Sequence, residues 1–463
     1  MEKLPNEILL LIGEENMQSF NQNDYMPLLL VCKRWRSLFL SRAYHVISLN
    51  EKQIEPFLTT VHGNPSIAIP NVALNITASS ADFEVTRNDI SSIGSRVAEI
   101  SQSPKETTEW EGELVRGSCD AWIAVLLTYL PNLSSLHVEP AWCVGKFIRS
   151  IVLRAAAGEA AFTSILQELC GFITIIGSSG LWLPSQASDY LPLFNLPSMR
   201  QVTLWCGLMD SDNGDTMPGL GFERGTLPIT EIEIMGNGRY GMRELITACQ
   251  NLKVFDWQHN DIELIGESYR RFRPRAFYSS LSTQKHSLVE LRLHGQSFYD
   301  IGTDFDEDDD GEAESELDPP DNWFGSLADF VKLQELRMRV VNLLDFRSES
   351  FEPNKALKNI LPGSLERLFL TECHAEHTDR LHQELMELFA CRTQKFPNLG
   401  LLIIVCKFLK ELDPPTATRC ECVPDALQKS FIEPIKAAAE GVGVDFGAAY
   451  KRDVSQPYLY ATI

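Results

Sequence analysis

A six-residue pattern of hydrophobic positions, apolar-x-x-apolar-x-apolar, recurs eight times along the chain, at intervals of 23 to 66 residues. The last two apolar positions of each copy flank a single position, which is the period of a β-strand with one buried face. Such repetition predicts short strands stacked in a parallel sheet, and the interval between 133 and 199 leaves room for one or two further units. The eight copies begin at Leu133, Met199, Ile229, Leu252, Leu288, Leu333, Leu365 and Leu399.

Helical patterns lie between several of these strands, at residues 120–130, 242–249, 378–391 and 425–439. Their apolar positions recur every three to four residues, which predicts amphipathic helices that cover one face of the sheet. Val442, Val444 and Phe446 alternate with other residues and predict a closing strand.

The other face of the sheet takes the third and fifth residues of each copy, because side chains alternate along a strand. This face is predicted to change from neutral to acidic, then to mixed charge, and finally to apolar and aromatic. We expect a protein target along the later half, anchored by Arg292, Arg337, Arg367 and Phe369. An ordinary solvated face remains the alternative. The positions are Ser135, His137, Gln201, Thr203, Glu231, Glu233, Val254, Asp256, Glu290, Arg292, Glu335, Arg337, Arg367, Phe369, Leu401 and Ile403.

The first fifty residues have a different pattern. Pro5 stands in the first turn of a predicted helix with an apolar stripe, and Asp24 can cap a second helix that tolerates Pro27. Helices this short are marginal alone and must bury their stripes against a partner protein or the following domain.

The order of residues in this segment resembles an F-box. LPNEILLLI, a polar gap, and LLLVCKRWRSLFLSRAYHVISL carry the resemblance over residues 1–49. The F-box and the repeat together resemble the F-box/leucine-rich-repeat proteins of filamentous fungi. The expected fold class is therefore α/β: a helical F-box at residues 1–49, then an irregular leucine-rich-repeat-like solenoid with a curved parallel sheet at 50–463.

The resemblance implies a function. An F-box docks on the Skp adaptor of Skp-cullin-F-box (SCF) ubiquitin ligases, and through it on a cullin-RING ligase, while the repeats bind the protein target. The expected role is a substrate receptor that is not itself an enzyme. An adaptor-binding scaffold without ligase activity is the alternative, and a need for target phosphorylation remains open. The residues expected to contact the adaptor or shape its docking surface are Leu4, Pro5, Ile8, Leu9, Leu28, Val31, Cys32 and Trp35.

Charge and cysteine content indicate which partners are disfavoured and in which compartment the protein is expected. The net charge is −22, and residues 304–321 hold 11 acidic and no basic residues, which predicts a disordered, solvated insertion. This charge disfavours nucleic acids and anionic membranes as partners. The 11 scattered cysteines, the absence of a signal-like N-terminus and the short apolar runs predict reduced thiols in a cytoplasmic or nuclear protein without a membrane span.

Three motifs suggest other chemistry. Gly236, Gly238 and Gly241 match G-x-G-x-x-G, so a nucleotide-dependent oxidoreductase is a further alternative, although the repeat accounts for both flanking strands. The basic cluster at 269–275 could grip phosphate or pair with the acidic run. A histidine-rich group lacks a recognised metal-ligand spacing, so no metal, cofactor or catalytic constellation is expected. Its members are Cys373, His374, His377 and His382.

Overall fold

The computed structural model describes fourteen stretches of the chain, and they form two compact units. The first unit contains residues 1–208 and 227–229, and the second contains 209–226 and 230–463. None of the described helices is long and apolar enough to cross a membrane. The described residues are 4–15, 27–67, 73–78, 90–139, 144–162, 164–175, 185–186, 190–209, 222–236, 241–260, 272–296, 323–346, 353–406 and 427–450.

The first unit is built on a parallel sheet in which β1, β2, β3, β4 and β6 pair in that order, with β5 beside β6. Its strands are β1 Val46–Asn50, β2 Ala73–Thr77, β3 Ser135–Glu139, β4 Gly171–Ile175, β5 Ser185–Gln186 and β6 Gln201–Met209. Its helices are α1 Asn6–Glu15, α2 Lys33–Ala43, α3 Glu51–Gly63, α4 Ser91–Ile100, α5 Pro104–Arg116, α6 Cys119–Leu127, α7 Lys146–Ala156 and α8 Leu191–Phe194, with 3-10 turns at Pro65–Ile67 and Ala160–Phe162.

The second unit is a parallel sheet of seven strands that pair in chain order. They are β7 Glu231–Gly236, β8 Val254–Asn260, β9 Glu290–Gln296, β10 Glu335–Arg339, β11 Arg367–Cys373, β12 Leu401–Cys406 and β13 Asp445–Tyr450. The helices are α9 Arg243–Ala248, α10 Pro274–Leu281, α11 Val340–Leu343, α12 Leu357–Ile360, α13 Thr378–Ala390, α14 Arg392–Lys395 and α15 Glu433–Gly441. Shorter elements are the π-helix Gln428–Ile432 and 3-10 turns at Ser282–Gln284, Pro353–Lys355 and Ala375–His377.

Each unit has its core on the helix-facing side of its sheet. Leu136 and Val138 of β3 are fully buried in the first unit, as are Leu291 and Leu293 of β9 in the second. Aromatic side chains fill the space between strands and helices: the rings of Trp257 and Phe277 lie 4.9 Å apart. The apolar positions of the repeat are therefore the core positions, and their burial drives the stacking of the strands.

The amino edge of the sheets is fixed by a repeated backbone arrangement. The carbonyl just before a strand accepts hydrogen bonds from two consecutive N–H groups of the next strand. Val289 O, for example, accepts from Gln334 N at 2.8 Å and from Glu335 N at 3.1 Å. The carbonyls that accept two N–H groups in this way are those of Ser134, Cys170, Thr230, Lys253, Val289, Gln334 and Glu366.

The structure confirms the predicted α/β leucine-rich-repeat-like fold and all eight predicted strands. Between β3 and β6 the described residues contain two strands, β4 and the two-residue β5, and β2 is a strand that the pattern does not predict. The closing strand was placed three residues early. Helix α15 ends at Gly441, Gly443 turns the chain with φ +74°, and β13 begins only at Asp445.

Candidate functional site

The N-terminal segment is a small helical cluster. Phe39 and Ala43 of α2 form its buried centre, and the Trp35 ring lies 5.5 Å from that of Phe39. The Arg34 guanidinium ties the two helices together, because its Nε and Nη2 donate to Asn6 Oδ1 at 3.0 and 2.7 Å. The half-buried residues that pack on this centre are Leu10, Leu28, Leu29, Trp35, Leu38 and Tyr44.

The second predicted helix is interrupted. Residues 27–29 form one helical turn, and α2 begins only at Lys33, after an extended Cys32 with φ −165° and ψ 170°. The apolar spacing from Leu28 to Leu38 therefore runs across two helical stretches and not along one. The break leaves Leu30 and Val31 in a turn, and both side chains are exposed.

The eight predicted adaptor-binding residues divide by exposure. Pro5, Ile8, Val31 and Cys32 are exposed, Leu4, Leu28 and Trp35 are half-buried, and Leu9 is fully buried. The exposed residues are available to a partner, whereas the buried one can act only by holding the cluster together. Their adaptor-binding role stays a prediction.

Two further residues join the exposed apolar side chains. Leu11 is 55% exposed and Leu30 is 86% exposed, and neither was among the predicted adaptor-binding residues. Helical spacing from Ile8 places Leu11 on the same side of α1, a signal present in the sequence. Ile8, Leu11, Leu30 and Val31 are named here the N-terminal exposed set. They are half of the eight large apolar side chains that are exposed among the described residues.

A second surface is the outward face of β7–β12, named here the charged strand face. Its side chains alternate with the buried ones and stand in two rows across the paired strands. The first row is Glu231, Val254, Glu290, Glu335, Arg367 and Leu401, and the second is Glu233, Asp256, Arg292, Arg337, Phe369 and Ile403.

Arg292 and Arg367 are held by carboxylates of the same face. The Nε of Arg292 donates to Glu335 Oε1 at 2.7 Å, and its Nη2 donates to Glu290 Oε2 at 2.6 Å. The other Glu335 oxygen lies 2.8 Å from Arg367 Nε. Glu335 is only 5% exposed, so it sits beneath both guanidinium groups. Burial lowers the pKa of Arg292, but its hydrogen bond to Glu335 and the nearby carboxylates outweigh that effect and raise the pKa.

Arg337 makes a different contact. Its guanidinium carbon lies 4.5 Å from the centre of the Phe369 ring, which is a cation–π arrangement. This pair joins the charged middle of the face to the half-buried Leu401 and Ile403 of β12.

Asp256 is the carboxylate with the most altered acidity on this face. Burial raises its pKa to about 6, against the opposing effects of Arg292 and Arg337. Its Oδ2 lies 3.6 Å from Arg292 Nη1, and its Oδ1 lies 3.6 Å from His294 Nε2. Part of its population is therefore protonated near neutral pH, so Asp256 carries less than a full negative charge.

Comparison with protein families identifies the repeat. A family model described as a leucine-rich repeat domain matches residues 96–423, most of the chain. The chain belongs to the leucine-rich-repeat family. A search of curated proteins finds no matching relative.

A leucine-rich-repeat domain indicates a scaffold for protein–protein interaction, and the structure brings the four predicted target anchors together. Arg292, Arg337, Arg367 and Phe369 occupy the neighbouring strands β9, β10 and β11. Target binding by these residues stays a prediction. The sequence pattern placed Glu290 and Glu335 on the face but did not indicate that they hold the arginines.

The glycine motif of this leucine-rich-repeat protein has a packing explanation where it is described. Gly236 ends β7, Gly238 lies outside the described residues, and Gly241 adopts φ +68°. A Cβ atom at Gly241 would lie 2.4 Å from the backbone carbon of Ala276, so close contact with α10 requires glycine there. The following helix, α9, has six residues.

The remaining motifs fall partly outside the described residues. The acidic run 304–321 lies there, as do residues 269–271 of the basic cluster, while the described Arg275 stacks 4.9 Å from the Tyr278 ring. Among the described residues, no group of three or more histidine, cysteine or acidic side chains could hold a metal ion. Cys373 instead stands opposite Cys406 in the register of β11 and β12, with both thiols free, and the His377 ring packs 4.3 Å from that of Phe346.

Proposed function

We propose that this leucine-rich-repeat protein is the substrate-recognition subunit of an SCF-type ubiquitin ligase. In this proposal the N-terminal helices dock on the Skp adaptor, and the charged strand face receives the protein target. The N-terminal exposed set carries the proposal, because four exposed apolar side chains lie within a segment whose residue order resembles an F-box.

The energetics support a docking role for this segment. Fully burying an apolar side chain of this size contributes about 2 kcal/mol, and these four are already 41 to 86% exposed. The short helices form a small core of their own, since among the described residues of α1 and α2 only Leu9, Phe39 and Ala43 are fully buried. A partner that covers Ile8, Leu11, Leu30 and Val31 would therefore add apolar burial that the segment lacks alone.

The proposed contribution to catalysis is proximity and not chemistry. A receptor holds the target near a ligase-bound ubiquitin-conjugating enzyme, which raises the effective concentration of the target lysine. We accordingly propose a non-catalytic protein that works without a cofactor, in the cytoplasm or the nucleus.

The deciding experiment is a pull-down of the purified Skp adaptor with the intact protein. The Ile8→Lys/Val31→Lys double variant places two charges in the exposed set and leaves the Phe39 centre untouched. If each substitution removes about 1.4 kcal/mol of apolar burial, affinity falls about a hundredfold. Failure of the intact, folded protein to bind would overturn the proposal.

A matched control is available in the same unit. Val115 and Leu153 are 48% and 53% exposed, close to Val31 at 59% and Ile8 at 41%. The Val115→Lys/Leu153→Lys variant should bind the adaptor like the intact protein, with the same circular dichroism spectrum as the test variant. Equal loss in both variants would attribute the effect to added charge and not to docking.

The same complexes distinguish a ligase subunit from a scaffold. Purified cullin-RING is added to the adaptor complex, and its co-elution is followed by size-exclusion chromatography. Co-elution supports the ligase subunit, whereas adaptor binding that excludes the cullin supports a scaffold without ligase activity.

A further inference from the structure

The charged strand face changes in character from one side to the other, and the change has a chemical consequence for its ligand. We propose that it binds an extended peptide segment with lysine or arginine at one end and an aromatic or aliphatic residue about six positions away. This inference rests on the proposed target-binding role of the face and names the class of target.

The acidic end of the face is formed by β7 and β8. Three of the four row positions there are carboxylates, Glu231, Glu233 and Asp256, and none is basic. Glu231 and Glu233 are half-buried, which keeps their charges partly shielded from solvent. Asp256 already lies 3.6 Å from Arg292 and from His294, so the negative charge that an approaching lysine or arginine meets comes chiefly from Glu231 and Glu233.

The centre of the face is already balanced. Arg292 and Arg367 share the Glu335 carboxylate and also lie 2.6 and 3.8 Å from oxygens of Glu290. A phosphate group would have to replace Glu335, whose carboxylate is almost fully buried and would be left without its cations. The centre consequently disfavours a phosphorylated or acidic ligand.

The apolar end is formed by β11 and β12. Phe369, Leu401 and Ile403 are half-buried and present carbon atoms to the solvent. On the next strand, Gly447 stands opposite Ile403 and contributes no side chain, and a Cβ atom there would already lie 3.4 Å from Cγ1 of Ile403. An aromatic or aliphatic side chain could bury its surface here.

The distance between the two ends sets the spacing in the ligand. Glu233 on β7 and Phe369 on β11 are four strand intervals apart in the paired register. At about 4.8 Å per interval this is roughly 19 Å, which an extended peptide covers in about six residues.

The test is a selection of phage-displayed random dodecapeptides on the immobilised full-length protein. We expect enriched sequences to carry lysine or arginine about six positions from phenylalanine, leucine or isoleucine. A synthetic peptide of the most enriched sequence should bind about tenfold more weakly to Glu231→Gln/Glu233→Gln and to Phe369→Ala, and less tightly at high salt.

Controls separate the surface from general charge effects. Glu376 and Glu440 lie off the face and are 76% and 60% exposed, so Glu376→Gln/Glu440→Gln changes the net charge equally and should bind the peptide like the unmodified protein. Enrichment of acidic sequences, absence of any enriched sequence, or equal binding by all variants would overturn the proposal. So would tighter binding of a matched phosphoserine peptide that depends on Arg292 and Arg367.

This result is independent of the adaptor pull-down. A peptide preference that depends on Glu231, Glu233 and Phe369 would stand even if the Skp adaptor did not bind, and only the ligase role would then fail. Adaptor binding with no selected peptide would instead leave the ligase role intact and remove the proposed target class.

Discussion

The strand faces of the two units contrast sharply, although the buried sides of the strands follow one rule. Equivalent outward positions in the first unit are Ser48, Asn75, His137, Ile173 and Thr203, which are small or neutral. In the second unit they are Glu233, Asp256, Arg292, Arg337 and Phe369. The inward positions specify the stacking, and the outward positions can therefore differ without changing the fold.

The contrast is also energetic. On the strand face of the first unit, Asn75 Nδ2 donates a long hydrogen bond to Ser48 Oγ of the neighbouring strand, at 3.4 Å. In the second unit Glu335 holds two arginines at 2.7 and 2.8 Å. Polar side chains contribute little to stability in the first case and have a substantial role in the second.

The largest expected effect should be the same in both units. Leu136 and Leu368 are fully buried at equivalent positions of β3 and β11. Leu136→Ala and Leu368→Ala should each lower the free energy of unfolding by about 3 kcal/mol, measured by urea denaturation, because each leaves a cavity. If one of the two substitutions lowered the free energy of unfolding by less than about 1 kcal/mol, the apolar positions would not contribute equally to the cores of the two units.

The second largest effect should be a pH dependence of stability that comes from Asp256 on the charged strand face. Because burial raises the pKa of Asp256 to about 6, the folded state holds a proton between pH 4 and 6 that the unfolded chain has released. This group therefore stabilises the fold less as pH rises through that window. Relative to Asp256→Asn, the unmodified protein should lose on the order of 2 kcal/mol from pH 4 to pH 7.

The control for that prediction is Asp329→Asn, because Asp329 is 80% exposed in the same unit. Its stability should follow that of the unmodified protein across the range. A difference between the unmodified protein and Asp256→Asn that stays constant, or grows in favour of the unmodified protein, would contradict the assigned direction.

Removal of Glu335 should come third. Glu335→Ala leaves Arg292 and Arg367 without their shared carboxylate, and both are partly solvated at 30% and 45% exposure. We expect a loss of about 1.5 kcal/mol in urea denaturation, below the value for a fully buried pair. Asn75→Ala, on the first face, should change stability by less than about 0.5 kcal/mol. Similar values for the two variants would remove the energetic contrast.

The smallest effect concerns the Arg337–Phe369 contact. A double-mutant cycle with Arg337→Ala and Phe369→Leu should give a coupling energy of about 0.7 kcal/mol in the free energy of unfolding, as for a partly exposed cation–π pair. Additive single effects would mean that the stacking seen at 4.5 Å contributes nothing measurable.

The sequence predicted the strands wherever core positions were apolar, and the exceptions have physical causes. In β4 the last core position is Thr174. This threonine is fully buried, and its hydroxyl is satisfied because it donates to Val138 O at 2.9 Å. The segment before β2 has Asn71 at the first apolar position. A hydrogen-bonded threonine and a polar first position both hide a strand from a hydrophobic pattern.

The surfaces were less predictable than the fold. Period-two alternation assigned the row positions correctly, but the contact of Arg292 with Glu335 joins residues 43 apart and depends on the strand register. In the N-terminal segment, the extended Cys32 separates two helical stretches that share one apolar period, so Leu30 was not recognised as exposed. Local spacing cannot specify either feature.

The carbonyls that accept two N–H groups at the amino edge also explain how the repeat tolerates unequal lengths. Ile232 and Phe255 are partners 23 residues apart, whereas Leu291 and Leu336 are partners 45 residues apart, yet both pairs meet in the same register. Alignment is set as each strand begins, so residues inserted after a strand ends do not alter it. The length or sequence of an insertion such as residues 297–322 can therefore change without altering the register of the flanking strands, in evolution or in a designed variant.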